Sequence, residues 1–229
     1  MDLDEIARRI VESIENKELD FIEDVLLWDD FHEIMYGIIM DERYWRRDSV
    51  GEGMLPIYIL YILGLRADKR SFNILREVIA SRTEELDEFI TEDLKVIFFN
   101  FGARFIDEIA SIIFDENLDM YVRDAAISAL CAIGAVNERL SHRIAEICRK
   151  FINEETNIDL IALALPAMAE VKDEELFALV KNTHKKLGEV AEDIVSIREL
   201  DKLHDESEDT FPEYTKCFKS LWLLLVGRL

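Results

Sequence analysis

Met54-Leu55-Pro56-Ile57-Tyr58-Ile59-Leu60-Tyr61-Ile62-Leu63-Gly64-Leu65 runs for 12 residues without a charge. Pro56 suits a first helical turn, where its missing N–H has no partner to lose, and Gly64 marks the end of the run as a C-terminal breaker would. The run is too short to cross a bilayer, which takes about 20 apolar residues, so it predicts a helix enclosed by protein. A polar turn, Ala67-Asp68-Lys69-Arg70, leads into a second helix with Phe72, Leu75, Val78 and Ile79 on one face. Two helices joined this closely pack antiparallel.

The same unit recurs along the chain. Leu60 with Gly64 aligns with Phe98 and Gly102, then with Leu130 and Gly134, then with Leu165 and Ala169, in steps of 38, 32 and 35 residues. Each match closes a first helix. The second helices carry Phe105, Ile106, Ile109, Ile112 and Ile113; Ile144, Ile147, Cys148, Phe151 and Ile152; and Leu176, Phe177, Val180 and Leu187. A helix-turn-helix unit at a period of about 20–50 residues marks an α-solenoid. The predicted fold class is all-α, an α-α superhelix of about four antiparallel pairs over 54–188, within a single domain 1–229. On the N-terminal side, Leu3, Ile6, Ile10, Val11 and Ile14 share a helical face, and further helices are expected over about 18–28 and 31–40, so residues 1–48 are read as capping helices. On the C-terminal side, an acidic loop is expected at 201–212 and a capping helix at 214–228, with Phe218, Leu221, Trp222, Leu225 and Val226 inward.

Four stretches between Met54 and Ile152 resemble a bacterial and archaeal family of unknown function built from HEAT-like repeats. They are Leu55 to Leu63; Glu84-Glu85-Leu86-Asp87-Glu88-Phe89; Ile90-Thr91-Glu92-Asp93-Leu94; and Tyr121-Val122-Arg123-Asp124-Ala125-Ala126 with Ala129-Leu130. The resemblance implies a short HEAT-like solenoid and a scaffold-like protein, and implies no reaction. It also assigns Arg123 and Asp124 a structural role, bonding neighbouring repeats. Members of that family often carry a cysteine-rich zinc motif at the C-terminus; this sequence has none, so no zinc-dependent role carries over.

There are 27 basic and 49 acidic residues, a net charge of −22. Nucleic-acid backbones are bound by clustered Lys and Arg that displace counterions, and anionic lipid surfaces attract basic segments. Nucleic acid and membrane are therefore not expected as partners, whereas a basic or mixed-charge protein is. The start, Met1-Asp2-Leu3-Asp4-Glu5, has no leader pattern, and a cytoplasmic protein is expected; the oligomeric state is open. The three cysteines, Cys131, Cys148 and Cys217, are too few and too far apart for a disulfide framework, and the first two read as small buried hydrophobes.

No signature of catalysis emerges. There is no Gly-x-Ser-x-Gly elbow, and Gly51-Glu52-Gly53 lacks the rest of a phosphate-cradling pattern. Of the four histidines, His142 pairs only with Glu146 at i, i+4, and two ligands do not make a metal site. HEAT-like di-iron hydroxylases use several His-Glu dipeptides; this chain has one, His32-Glu33. Thr91, before Glu92 and Asp93, reads as a helix start. No enzyme, cofactor or metal is expected.

Tyr44-Trp45-Arg46-Arg47 is the most unusual stretch. Aromatics interleaved with arginines make a binding hot spot or a base-stacking platform. The competing reading is a packed loop in which Trp45 anchors the N-terminal helices and the arginines pair with nearby acids. Exposed second-helix positions, Arg76, Asp107, Glu108, Arg143, Glu146 and Lys181, are the other candidate partner contacts. Two functions lead on these features, a protein-interaction scaffold and an acidic inhibitor or immunity-type protein that blocks a basic enzyme; an enzyme with an unfamiliar site ranks behind them.

Overall fold

The computed structural model describes residues 2–18 and 20–205; the capping helix expected at 214–228 lies outside them. Among the described residues the protein is all-α, with fourteen α-helices and no strand. They form two compact units, the first ending at Phe89 and the second beginning at Ile90.

The first unit contains α1 (Leu3–Glu15), α2 (Asp20–Val25), α3 (Phe31–Ile39), α4 (Leu55–Arg66) and α5 (Lys69–Ser81), and α6 (Thr83–Glu92) begins in it. Every residue of α4 from Leu55 to Gly64 is buried. A helix apolar around its whole circumference must be covered on every side, and α1, α3 and α5 pack against it. Helix α1 starts on Asp2, whose side chain accepts the Glu5 N–H at 2.8 Å, and buries Ile6, Ala7, Ile10, Val11 and Ile14. Asp68 plays the same part for α5, accepting the Ser71 N–H at 2.9 Å. Its carboxylate also lies 2.8 Å from His32 Nε2 on α3 and accepts Arg66 Nε–H from α4 at 3.2 Å. Burial works against its charge, but the Ser71 N–H, His32 and Arg66 together hold the carboxyl down at about 2. One carboxylate thus pins three helices.

The second unit contains α7 (Leu94–Phe101), α8 (Ile106–Ile113), α9 (Met120–Ala135), α10 (Glu138–Glu154), α11 (Ile158–Ala169), α12 (Glu174–Leu187), α13 (Glu189–Glu192) and α14 (Ile197–Asp205). Helix α9 packs against α7, α8, α10 and α11; α10 reaches α12, and α11 is covered by α12, α13 and α14. First helices lie beside first helices, and α9 and α11 close on their own second helices, α10 and α12, while α7 and α8 both pack on α9, the layering of a helical repeat. The expected ends at Gly64, Gly102, Gly134 and Ala169 fall within two residues of the ends of α4, α7, α9 and α11. Gly102 ends α7 with φ at +73°, a left-handed conformation favouring glycine. Gly134 is needed for space: a Cβ there would lie 3.2 Å from Ile144 Cδ1 and 3.3 Å from its Cγ2. The absent side chain lets α10 close on α9.

Two boundaries differ from the sequence reading. Thr91 lies inside α6, and α7 starts after Asp93. Leu86, Phe89 and Ile90 give α6 its own buried face, which carries the helix past the expected start. Residues 201–205, expected in a loop, are the last turns of α14. Its anchors are Leu200 and His204, both buried and four residues apart. His204 Nδ1 lies 3.0 Å from the Ala169 carbonyl oxygen, and its ring stacks on Phe177 with centroids 3.9 Å apart. A histidine reads as polar in a hydrophobic pattern, so this helix face is faint in sequence.

Arg123 and Glu155, whose side chains are both more than nine-tenths buried, form an ion pair in this unit. Arg123 Nε–H donates to the Ile113 carbonyl at 2.8 Å, and Glu155 Oε1 accepts the N–H groups of Thr156 and Asn157 at 2.8 Å each. The pair ties the end of α8 and the turn into α11 to α9. Removing one member of a buried pair strands the other charge, which costs about 3–5 kcal/mol. Arg123→Ala should lower the unfolding free energy by that amount in denaturant titration. Arg123→Met combined with Glu155→Gln, which leaves no bare charge, should recover at least half of the loss.

Candidate functional site

The second-helix positions singled out above divide among different surroundings. Asp107, Arg143 and Glu146 come together on a groove of about 410 Å³ between α8 and α10, completed by Ala110, Ser111, Phe114, Ile147 and Lys150. Arg143 bonds to Asp107 across it. Ala110, Phe114 and Ile147 are half-buried and give the groove an apolar floor. Lys150 covers the Phe114 ring at 4.4 Å and lies 3.7 Å from Glu154. Glu146 faces His142 at 3.5 Å, and both side chains are largely exposed. Glu108 is on the same helix as Asp107, half-buried, its backbone carbonyl accepting Ser111 Oγ–H at 2.6 Å. Lys181 is tied instead to Asp201 on α14 at 2.7 Å. Arg76 is exposed on α5 of the first unit.

The floor of this groove was not singled out in the sequence. Phe114 ends α8 and Lys150 is one of many charges on α10; only the packing of α8 and α10 brings them to one place. On the rim, Arg143 and Lys150 each have an acidic neighbour, whereas Glu146 has only a histidine. The groove thus joins an apolar floor to a rim whose Glu146 carboxylate faces only a histidine.

Tyr44 to Arg47 lie in and after a 3-10 turn, Glu42–Trp45. Tyr44 is buried, and its hydroxyl donates to Asp4 on α1. Burial, then the Asp4 carboxylate, push the Tyr44 phenol up to about 12, so it stays a donor. Trp45 donates its Nε1–H to the Ile39 carbonyl at 2.8 Å, with the Arg82 guanidinium 5.5 Å from its ring centroid. Tyr44 and Trp45 therefore fasten the segment to the helices before it, while Arg46 and Arg47 are exposed. His32 and Glu33 are engaged with Asp68 and with Arg70, the latter at 2.7 Å. Among the described residues no three His, Cys, Asp or Glu side chains converge as metal ligands would. Cys131 and Cys148 are buried thiols with their sulfurs 3.7 Å apart.

No family model matches the chain, and neither a curated protein nor a solved structure is similar to it.

Asp124, the neighbour of Arg123, makes no bond like that of Arg123: its Oδ1 is enclosed without a hydrogen-bond partner. Burial pushes its carboxyl up to about 6 against the pull of Lys95. Burial likewise raises Glu170, just past α11, to about 7, with Lys95 again opposing. A carboxyl that holds its proton more tightly folded than unfolded contributes less stability as pH rises between the two pKa values. These two therefore destabilise the fold progressively from about pH 4 to about pH 7. Asp124→Asn should be neutral below pH 4 and raise stability by about 1–2 kcal/mol at pH 8. Unfolding measured at both pH values checks the difference, and an equal shift at both would contradict it.

Proposed function

We infer that the protein is a non-enzymatic interaction scaffold of the cytoplasm, and that the groove between α8 and α10 docks a basic or mixed-charge segment of a protein partner. One observation carries this reading: the groove joins an apolar floor of Ala110, Phe114 and Ile147 to a rim where Glu146 is the charge without a cationic partner of its own. A lysine or arginine of the partner would pair with Glu146 while its apolar neighbour packs on Ala110 and Ile147, beside the Phe114 ring that Lys150 covers. The net charge of −22 would speed encounter with a basic partner and repel nucleic acid. The resemblance of residues 54–152 to a HEAT-like repeat family is in keeping with a scaffold, since stacked helix pairs commonly present their second helices as a binding face.

Affinity capture from native lysate tests the reading. A stoichiometric protein should be retained by the full chain and released as salt is raised. The double variant Asp107→Lys with Glu146→Lys changes two exposed rim charges and should weaken its capture at least tenfold, the size expected from losing a close charge pair. Capture equally strong in the variant would move the docking face elsewhere, and absence of any stoichiometric protein would count against the scaffold itself.

A further inference from the structure

Residues 1–53 carry sixteen acids and six bases, yet three of those six bases, Arg8, Arg43 and Arg46, line one cleft of about 350 Å³. The cleft lies between α1 and the segment 43–50, and Asp4, Tyr44, Asp48, Ser49 and Val50 complete it. Its volume suits a small ligand. A chance draw from this stretch would give an acidic lining; the arginines make it the opposite.

The three guanidiniums differ in how far they are engaged. Arg43 is held by Asp41, with Nε 2.9 Å and Nη2 2.7 Å from Oδ2, and stands 5.4 Å from the Tyr44 ring centroid. It forms a fixed wall. Arg8 is exposed and makes no hydrogen bond or ion pair with any described residue. Among the described residues the Arg46 guanidinium meets only Asp48, at 3.4 Å, with both side chains about seven-tenths exposed. An exposed pair of that kind contributes little, so an incoming anion displaces Asp48 at small cost. The other rim carboxylate, Asp4, is already engaged by the Tyr44 hydroxyl and, at 3.5 Å, by Arg43.

The segment bearing Arg43 and Arg46 is also held in place before any ligand arrives. Trp45 Nε1–H is bonded to the Ile39 carbonyl, and Ser49 Oγ–H bonds the Arg46 carbonyl at 2.6 Å. Behind it, Gly51 has φ at +73° and a Cβ there would lie 2.9 Å from Val11 Cγ2; a Cβ on Gly53 would lie 3.2 Å from the Trp45 carbonyl oxygen. The turn is packed against α1 too closely for larger residues, which fixes the distance between Arg8 on the helix and Arg46 on the segment. With the backbone under both donors already fixed, an anion has only the Arg8 and Arg46 side chains to order.

We propose that this cleft binds the oxyanion group, phosphate or carboxylate, of a small molecule, with Arg8 and Arg46 as its charged donors and Arg43 as the fixed wall. The guanidinium fork matches both groups in a bidentate manner. The cleft belongs to the first unit and is independent of the α8–α10 groove.

The test uses the full chain, following the arginine Nε–Hε NMR signals during titration with sodium pyrophosphate or with sodium succinate. Ionic strength is matched throughout with sodium chloride. At least one probe should give saturable shifts of the Arg8 and Arg46 signals with a dissociation constant of about 1–10 mM or tighter; the probe that binds more tightly identifies the group. Arg8→Gln with Arg46→Gln, both exposed positions, should weaken it at least tenfold, a loss set by two charge-assisted bonds. Arg47→Gln, just outside the lining, should change it less than twofold. Shifts that never saturate with either probe, or binding that survives in the double variant or is lost equally in Arg47→Gln, would overturn the proposal.

Discussion

A helix buried on most or all of its sides has to be enclosed, and in this protein that constraint acts most strongly on two helices. In the first unit it acts on α4, with Leu55 through Gly64 all buried, and in the second on α9, buried along most of its length. Each Leu, Ile or Val removed from water contributes about 1.5–3 kcal/mol, so every uncovered side of such a helix carries a large penalty. The neighbours follow. Helices α1, α3 and α5 close around α4; α7, α8, α10 and α11 close around α9. Of the enclosing helices, α1, α5, α8 and α10 bury one apolar face and carry charge on the other, whereas α7 and α11 are themselves largely apolar.

Close packing around α9 requires small residues at the contact. Ala125, Ala126, Ala129, Ala132 and Gly134 supply them, and at Gly134 even a methyl group would press on Ile144. The same enclosure traps polar groups, with opposite outcomes at adjacent positions. Arg123 reaches past the helix to a carbonyl and a carboxylate, and its charge becomes part of the framework. Asp124, shorter by several bonds, has an enclosed oxygen with no partner and a raised pKa. Side-chain reach, not charge type, separates the two.

That contrast shows what the sequence does and does not reveal. The helix pairs are legible because they rest on local periodicity: the run 54–65 and its echoes ending near Gly102, Gly134 and Ala169 specify where first helices stop. The motif Arg123-Asp124 is also visible, but it gives no sign that one member bonds across repeats and the other does not, because that depends on where Ile113 and Glu155 arrive. Helix α14 is faint for a related reason, since His204 serves as a core residue through a carbonyl and a Phe177 stack. The candidate sites are less legible still. Asp107, Arg143 and Glu146 stand out as exposed second-helix charges, but the Phe114 floor between them exists only once α8 and α10 pack. Arg8 looks like any polar residue on α1, and its place beside Arg46 is created by the tight turn at Gly51 and Gly53.

The placement of arginine is the more discriminating feature of this acidic chain. Most arginines are fastened to carboxylates or carbonyls: Arg66 to Asp68, Arg70 to Glu33, Arg82 to Glu42 and Glu85, Arg149 to Asp173. Although acids outnumber bases almost twofold, some exposed arginines form no ion pair with a described residue, and what distinguishes one of them from the rest is the surface it lines. Arg8 lines a cleft with two more guanidiniums, where Asp4 and Asp48 are engaged by other partners. On the α8–α10 groove the imbalance has the opposite sign, because Arg143 and Lys150 have acidic neighbours and Glu146 lacks a cation. A charge left without its complement in a folded chain marks where a complement from outside gains most, and the two surfaces differ in which sign they lack.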